Sequence, residues 1–372
     1  KEISFKKLHR YSPKQVIKLN HSGMPDGERE CSICHRHDYL KDGETECEIC
    51  WTLKQMSGNI LKGDFFTVTS KKEKTCLPLP GNCYLVTDTE STLRKRMKED
   101  NYYIRSYSKN KPYSGYYVST KLWVGDYVNG ETFEELGQRA TGIERIAVMR
   151  ADVDNLGQAF VRGFENEKNG SKYVTLSRTA TFSRKLSMFF KYHINSLLKE
   201  GGYSILEEEA QMEKEDDRRN ALIVYSGGDD IFIVGAWDDI IGFAVDLHDN
   251  LMEYSQDTLK ISAGIGIYPS KYPISIMARE TGRLEEAAKS VEGKNAVALF
   301  DEKYTFPWEE FIENVVEEKL YFIQKYFTDT VSRVGGIGIE EIAQDYIGFH
   351  SEAYDPLGLQ VDMTLNSEGK HK

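Results

Sequence analysis

Between residues 143 and 302 the chain alternates short apolar runs with stripes of helical period, which predicts a regular α/β succession. Residues 146–153 form an apolar strand that ends in acid, and 155–164 can continue as a helix. A longer helix is predicted over 181–199, where Phe182, Leu186, Phe189, Phe190, Ile194, Leu197 and Leu198 recur at helical spacing. Two apolar strands, 221–225 and 231–237, flank a tight turn, and Asp238 and Asp239 are suited to cap a helix over 240–254. Ile261, Ala263, Ile265 and Ile267 alternate as in a half-buried strand. A helix over 274–291 and a strand over 296–300 close the block. The order βααββαβαβ predicts an α+β, ferredoxin-like palm, with helices on one face of a mainly antiparallel sheet.

The flanks read differently. Residues 1–60 are polar and hold four spaced cysteines; 61–142 is a β-rich connecting region. In that region Tyr-, Val-, Thr- and Phe-rich runs at 65–69, 83–87, 102–107 and 116–128 are separated by Gly, Pro, Asn and Asp. Thr132 can cap a short helix over 132–140. Past residue 303 one helix is predicted over 308–327, and no sustained period follows residue 335.

Composition narrows the function. In 372 residues, 59 Asp and Glu face 48 Lys and Arg, a net charge of −11. Coating nucleic acid by bulk electrostatics needs the opposite sign, so any such contact is local or arranged by a partner. Basic residues cluster at 1–18 and 94–98 and otherwise read as solvated surface. No run is long and apolar enough to span a bilayer, and no export signal is visible, so a cytoplasmic protein is expected. The sequence opens on Lys rather than Met and is expected to be part of a longer chain.

The chemistry concentrates in two motifs. Ser226-Gly227-Gly228-Asp229-Asp230 sits between two buried strands, so two carboxylates ride on the tip of a hairpin. The glycines leave the backbone open to a bulky phosphate ligand. Adjacent carboxylates repel unless a cation lies between them, and hard oxygen ligands suit Mg or Mn. Arg150-Ala151-Asp152-Val153-Asp154-Asn155-Leu156-Gly157 supplies the second half. Asp152 closes the first strand, which in this topology lies beside the hairpin, so Asp152, Asp229 and Asp230 can hold two ions for in-line displacement at phosphorus. Asp154 alone reads equally well as a structural cap.

Together these motifs resemble the catalytic palm of diguanylate cyclases, class III nucleotide cyclases and certain polymerases. The Gly-Gly-Asp-Asp form, preceded by Arg-Ala-Asp-Val-Asp-Asn-Leu-Gly, resembles the large signature subunit of type III CRISPR effector complexes, in its second palm. The resemblance spans about 60–302 and includes Phe133-Glu134-Glu135-Leu136 and Gly142. It implies ATP as substrate, cyclic oligoadenylate as product and activation by target RNA bound to a guide-RNA complex with other subunits. It further implies metal ligation by Asp152, Asp229 and Asp230. Ser226, Gly227 and Gly228 would shape a nucleotide pocket, and Lys289 and Lys294 would contact phosphate. Lys294 stands where related cyclases carry Arg. Phe160 stands where diguanylate cyclases carry a guanine-reading Asn, which disfavours guanine.

Cys31-x-x-Cys34 and Cys47-x-x-Cys50 are two tight-turn chelates, a strong pattern for structural tetrahedral zinc. Cys76 and Cys83 read as reduced thiols. The CRISPR family often carries a zinc element between its two palms, and also a His-Asp nuclease in a separate domain. His37-Asp38 lies inside the cysteine loop and reads as coincidental. Two rivals stay open: a stand-alone nucleotide cyclase, and a non-catalytic scaffold subunit of the RNA-guided complex.

Overall fold

The computed structural model describes residues 30–35, 40, 43–130, 132–165, 168, 170–206 and 218–324. The basic stretch 1–18, the dipeptide His37-Asp38, the acidic loop 207–217 and the tail from 325 lie outside the described residues. The chain divides into two compact units, Lys1–Leu122 and Trp123–Lys372. The segment from Trp123 to Thr141, expected with the connecting region, packs in the second unit. There the Tyr127 hydroxyl donates to the Arg219 carbonyl at 2.6 Å and Val128 bridges Leu222.

The first unit begins at the cysteines and runs into helix α1 (Glu48–Lys62). Strands β1 (Phe65–Thr69), β2 (Leu77–Leu79), β3 (Cys83–Asp88), β4 (Tyr103–Lys109), β5 (Tyr113–Ser114) and β6 (Val118–Leu122) form one sheet in the order β2-β3-β1-β4-β6-β5. Helix α2 (Glu90–Glu99) starts in a capping box made by Thr89 and Thr92. Its buried Leu93 and Met97 pack on Phe65, with Tyr103 and Tyr113 against the same cluster. The chain reads as charged through α2 (only two of ten residues are buried), and neither α1 nor α2 is predicted by apolar period.

The second unit is built on six strands. These are β7 (Ile146–Val153), β8 (Ala221–Ser226), β9 (Asp230–Ala236), β10 (Ile261–Tyr268), β11 (Ala296–Leu299) and β12 (Thr305–Pro307). Their order is β12-β11-β10-β7-β9-β8, and every pair is antiparallel except β10 with β11. The ferredoxin-like core is as expected: β7 lies beside the β8–β9 hairpin.

Helices cover both faces of this sheet, not one. The residues Ala147, Met149, Ala151 and Val153 of β7 face a large core with α5 (Leu176–Met188), α6 (Ile194–Glu200) and α7 (Trp237–Ser255). Ile146 and Val148 instead join Leu136 of α3 (Phe133–Gln138) and Met277 of α8 (Ile274–Ser290). Between β7 and α5 lies α4 (Leu156–Arg162). The physical reason is visible in the first half of β7, where the four consecutive apolar residues Ile146 to Met149 leave neither face polar.

Three other elements differ from expectation. The long helix over 181–199 is broken by a π turn, Phe189–His193, between α5 and α6. The helix after residue 308 begins as a single α turn, α9 (Trp308–Glu310), and continues as a π-helix, Phe311–Leu320. Asp238 and Asp239 do not cap α7, which starts one residue earlier at Trp237. The Asp239 carboxylate instead accepts from the backbone and side-chain amides of Asn220, both at 3.0 Å. Trp308 is fully buried. Its backbone N–H donates to the Asn295 carbonyl at 3.1 Å, its indole N–H donates to the Ile261 carbonyl at 2.8 Å, and its ring stacks on His248.

Candidate active site

Register brings the acidic residues together. Asp152, near the end of β7, is paired directly with Asp230, the first residue of β9. The Val153 amide donates to the Asp229 carbonyl at 3.1 Å, and the Gly227 amide donates to the Asp230 carbonyl at 2.9 Å, closing the hairpin turn. Burial, then the charges of Asp152 and Asp230, hold the Asp229 carboxyl above the usual carboxylate range, against the opposing pull of Lys289. Three like charges gathered at one rim are the condition that a divalent cation relieves.

The face on which Asp152 lies is the α8 face, and α8 delivers a cation to it. The Lys289 ammonium donates to the Asp152 carboxylate at 2.5 Å and to the Glu285 carboxylate at 2.6 Å. Burial acts to lower the Lys289 pKa, but the two carboxylates outweigh it and leave it raised. Glu285, one turn before Lys289, is buried and also pairs with the Arg150 guanidinium at 3.1 Å. Arg150, Glu285, Lys289 and Asp152 thus alternate in sign along the face. Glu285 is not among the residues expected from sequence, although its i,i+4 spacing from Lys289 is a legible signal.

Helix α8 reaches the strand because Gly264 has no side chain. A Cβ there would meet the Leu284 Cβ and the Thr281 carbonyl oxygen at 2.7 Å and press on the backbone of Glu285.

Asp154 is structural. Its buried carboxylate accepts from the Ser262 hydroxyl at 2.8 and 2.9 Å and from the Asn295 amide at 3.0 Å. It fastens the loop in which Lys294 and Asn295 both have positive φ, 56° and 53°. Lys294 is half-buried and donates to the Asn155 side-chain oxygen at 3.0 Å. Ser226 turns away from the carboxylates and donates its hydroxyl to the Phe190 carbonyl, in the π turn. Gly228 has open space where a side chain would stand.

Tyr225 also belongs to the site, though sequence reads it as a plain strand residue. An irregularity in the β8–β9 pairing between Ile223 and Tyr225 sets Tyr225 opposite Phe232. The charge of Asp230, then a hydrogen bond to it, raises the phenol's pKa. A Cβ on Gly227 would collide with the Tyr225 hydroxyl and lie 2.6 Å from the Asp230 carboxylate.

In the first unit, Cys31, Cys34, Cys47 and Cys50 bring their sulfurs within 4.8 Å of one another, a set consistent with zinc. No other such group of three or more His, Cys, Asp or Glu is drawn together among the described residues. The three aspartates are therefore neighbours rather than a converged metal-binding set, as expected of carboxylates that repel. The Cys34 and Cys47 sulfurs lie 3.7 Å apart. Tetrahedral zinc with bonds of about 2.3 Å sets sulfurs about 3.8 Å apart. The Cys47 amide donates to the Cys31 sulfur at 3.2 Å and the Cys50 amide to the Cys47 sulfur at 3.4 Å. Backbone amides of Cys34 and Cys47 draw the Cys31 thiol down to about 6, while the Cys34 thiol, burial and the other two cysteines push Cys50 up. About one zinc per chain is the expected metal content by mass spectrometry. Cys47→Ser is expected to lose it and to expose α1 to protease; full metal retention in that variant would contradict the site.

Comparison with known proteins agrees with this geometry. The sequence profile described as Cas10/Cmr2, second palm domain, matches residues 145–298. The chain is 44% identical over 341 residues to the Mycobacterium tuberculosis protein named CRISPR system single-strand-specific deoxyribonuclease Cas10/Csm1 (subtype III-A). That match covers 89% of this chain and 41% of the relative. The Enterococcus italicus protein of the same name is 38% identical over 338 residues, covering 89% of this chain and 41% of that one. The chain thus spans about two fifths of the length of these relatives. Among solved structures, a Csm1–Csm4 cassette in complex with pppApApA superposes with TM-score 0.53 at 26% identity, over 70% of this chain and 37% of that one. Csm1 of T. onnurineus gives 0.52 at 27%, over 71% and 38%. With the paired Asp152 and Asp230 and the four-cysteine element, these matches place the chain in the Cas10/Csm1 family of type III-A CRISPR large subunits, in the region of the second palm domain.

Proposed function

We propose that the second unit is the nucleotidyltransferase palm of an RNA-guided type III complex and that it converts ATP to cyclic oligoadenylate. The observation that carries this reading is the direct pairing of Asp152 with Asp230, with Asp229 held above its usual range beside them. A related Csm1–Csm4 cassette was solved with pppApApA, a linear triadenylate triphosphate of the kind such a reaction forms.

In the proposed reaction the 3′-hydroxyl oxygen of one ATP attacks the α-phosphorus of another. The bond from that phosphorus to the β-phosphate bridge breaks, and pyrophosphate leaves. The hydroxyl proton passes to solvent, and the last attack within the same chain closes the ring. Asp152, Asp229 and Asp230 are the residues that would hold Mg or Mn, which when bound would polarise the phosphate and lower the pKa of the attacking hydroxyl. Gly227 and Gly228 keep side chains away from the phosphates, and the Tyr225 hydroxyl orients Asp230. Lys289 neutralises the triphosphate by exchanging its contact with Asp152 for phosphate oxygens, while Glu285 keeps it within reach. Lys294 is a second phosphate contact. Ser226 supports the hairpin through Phe190 instead of binding nucleotide.

The decisive experiment is product analysis with labelled ATP, Mg²⁺ and cognate target RNA in the assembled complex. Absence of oligoadenylate there, with assembly intact, would favour a scaffold. Lys289→Met is expected to weaken binding of a non-hydrolysable ATP analogue about ten-fold or more, the scale of one hydrogen bond to a charged group. Calorimetry on the assembled complex checks this, and an unchanged affinity would remove Lys289 from the phosphate site. Preference for GTP over ATP in the product assay would favour the stand-alone cyclase reading.

A further inference from the structure

We infer that His248 is a positioning residue for the loop that carries Lys294, and that it grips this loop by the side chain of Asn295. The contact itself is a matter of the fold; its consequence for nucleotide rests on the palm reading.

The loop needs holding. Lys294 and Asn295 are consecutive and both lie in the left-handed region, at φ 56° and 53°, which residues other than glycine adopt only at a cost. Contacts from other elements fix it. The Asn295 amide donates to the Asp154 carboxylate at 3.0 Å, and the Asn295 carbonyl accepts from the Trp308 amide at 3.1 Å. The backbone of Asn295 is thus occupied at both ends, and its side chain is the remaining handle. Yet the side-chain oxygen of Asn295 is buried and makes no hydrogen bond among the described residues.

A second buried orphan lies nearby. His248 sits on α7 with its side chain 12% exposed. Its Nδ1 meets the Asp249 carboxylate at 2.7 Å, while its Nε2 is buried and without a hydrogen bond among the described residues. His248 and Asn295 both touch Trp308, the first through the ring stack, with centroids 4.9 Å apart, the second through the Trp308 amide. Burial lowers the His248 pKa, and Asp249 and then Asn295 pull against it, so the Asn295 side chain stands within reach of the ring.

Two neighbouring polar groups, both sealed from water and both unpaired, are costly apart and complementary together. The Asp249 carboxylate can only accept, so neutral His248 keeps its proton on Nδ1 and leaves Nε2 bare. Burial favours that neutral form. A bare Nε2 requires a donor, and a half-turn of the Asn295 amide exchanges its oxygen for an N–H and closes the bond. A protonated ring would donate to the oxygen instead, so an amide at this position answers either state of the imidazole. With Asn295 held, Lys294 beside it is kept at the start of α4, where its ammonium donates to the Asn155 side chain at 3.0 Å. On the palm reading, that fixes the ammonium where the triphosphate arrives.

The test is hydrogen exchange on the full chain, read by mass spectrometry at the Lys294 and Asn295 amides, which are closed by Val291 and Asp154. His248→Phe keeps a ring on Trp308 but offers Asn295 no polar atom. It should speed exchange at these amides about five-fold, the scale of one neutral hydrogen bond. His248→Gln gives up the ring but keeps an amide toward Asn295, and should restore slow exchange. A side chain that served only to pack would show the reverse order. Circular dichroism establishes that each variant folds. Affinity for a non-hydrolysable ATP analogue in the assembled complex should follow the same order, several-fold weaker for His248→Phe and close to the parent for His248→Gln. Asn295→Asp gives a separate readout, by NMR titration of the imidazole signal that His248→Gln removes. The new carboxylate should raise the His248 pKa by about one to three, the effect of an opposite charge in contact. The inference is overturned if His248→Phe matches the parent in exchange or in analogue affinity, or if His248→Gln exchanges as fast as His248→Phe. It is equally overturned if Asn295→Asp leaves the imidazole titration unmoved. A parent complex that binds no analogue would remove the palm reading, and exchange and titration would still decide whether His248 holds the loop.

Discussion

Asp229→Asn combined with Asp230→Asn is expected to reduce oligoadenylate synthesis by far more than a hundred-fold while the complex still assembles. Even groups that merely orient metal ligands are worth about 10–100-fold, so loss of two ligands exceeds that. Labelled-ATP turnover and size-exclusion profiles of the assembled complex read the two effects apart. The same change carries a second sign. A carboxyl whose folded pKa is raised binds its proton more tightly in the folded state, so stability is gained as pH falls toward the ordinary carboxylate range and is lower above it. Asp229 is such a group, raised first by burial and then by Asp152 and Asp230. At neutral pH without metal its charge works against the fold. Asp229→Asn alone should therefore melt at or above the parent's temperature in chelator and lose the stabilisation that Mg²⁺ gives the parent. A variant that unfolds more readily in chelator would contradict this account of the site's charge.

Gly264→Val is expected to cost about 2–4 kcal/mol of stability, at the upper end of what overpacking does. The atoms it would strike include the backbone of Thr281 and Glu285, which cannot rotate away. Helix α8 must lift instead, and it carries both Glu285 and Lys289. Urea denaturation of the chain should show the lower midpoint, and ATP-analogue affinity should fall with it. Gly142→Ala is a useful contrast: no atom lies within 4 Å of the added carbon, although its φ of +79° leaves a local strain.

The palm was legible because its strands declare themselves twice, by apolar runs and by acid at their ends. Asp152 closes one run and Asp229-Asp230 open another, and β-pairing joins them with no further information needed. The four-cysteine cluster was legible for the same reason: each Cys-x-x-Cys fixes its own turn. What was missed depends on contacts across the fold. Tyr225 enters the site through an irregular strand pairing. Glu285 matters because Arg150 and Lys289 flank it. Ser226 lies in a glycine-rich turn that suggests phosphate, yet its hydroxyl is taken by a carbonyl in a π turn that no periodicity announces. Helices on both faces were written into the apolar first half of β7, whose Ile146 and Ala147 are both fully buried. An alternating strand would have left one of them wet.

Trp308 ties the chain beyond the sheet to the floor of the palm. Its two N–H groups hold Asn295, next to Lys294, and Ile261, next to the Ser262 that secures Asp154. A tug on the helix after residue 308 is thus delivered to the Lys294–Asn295 loop and to the central strand at once, through a single residue. Displacement of Trp308 would therefore reach both the loop and the strand of the candidate site without touching the carboxylates.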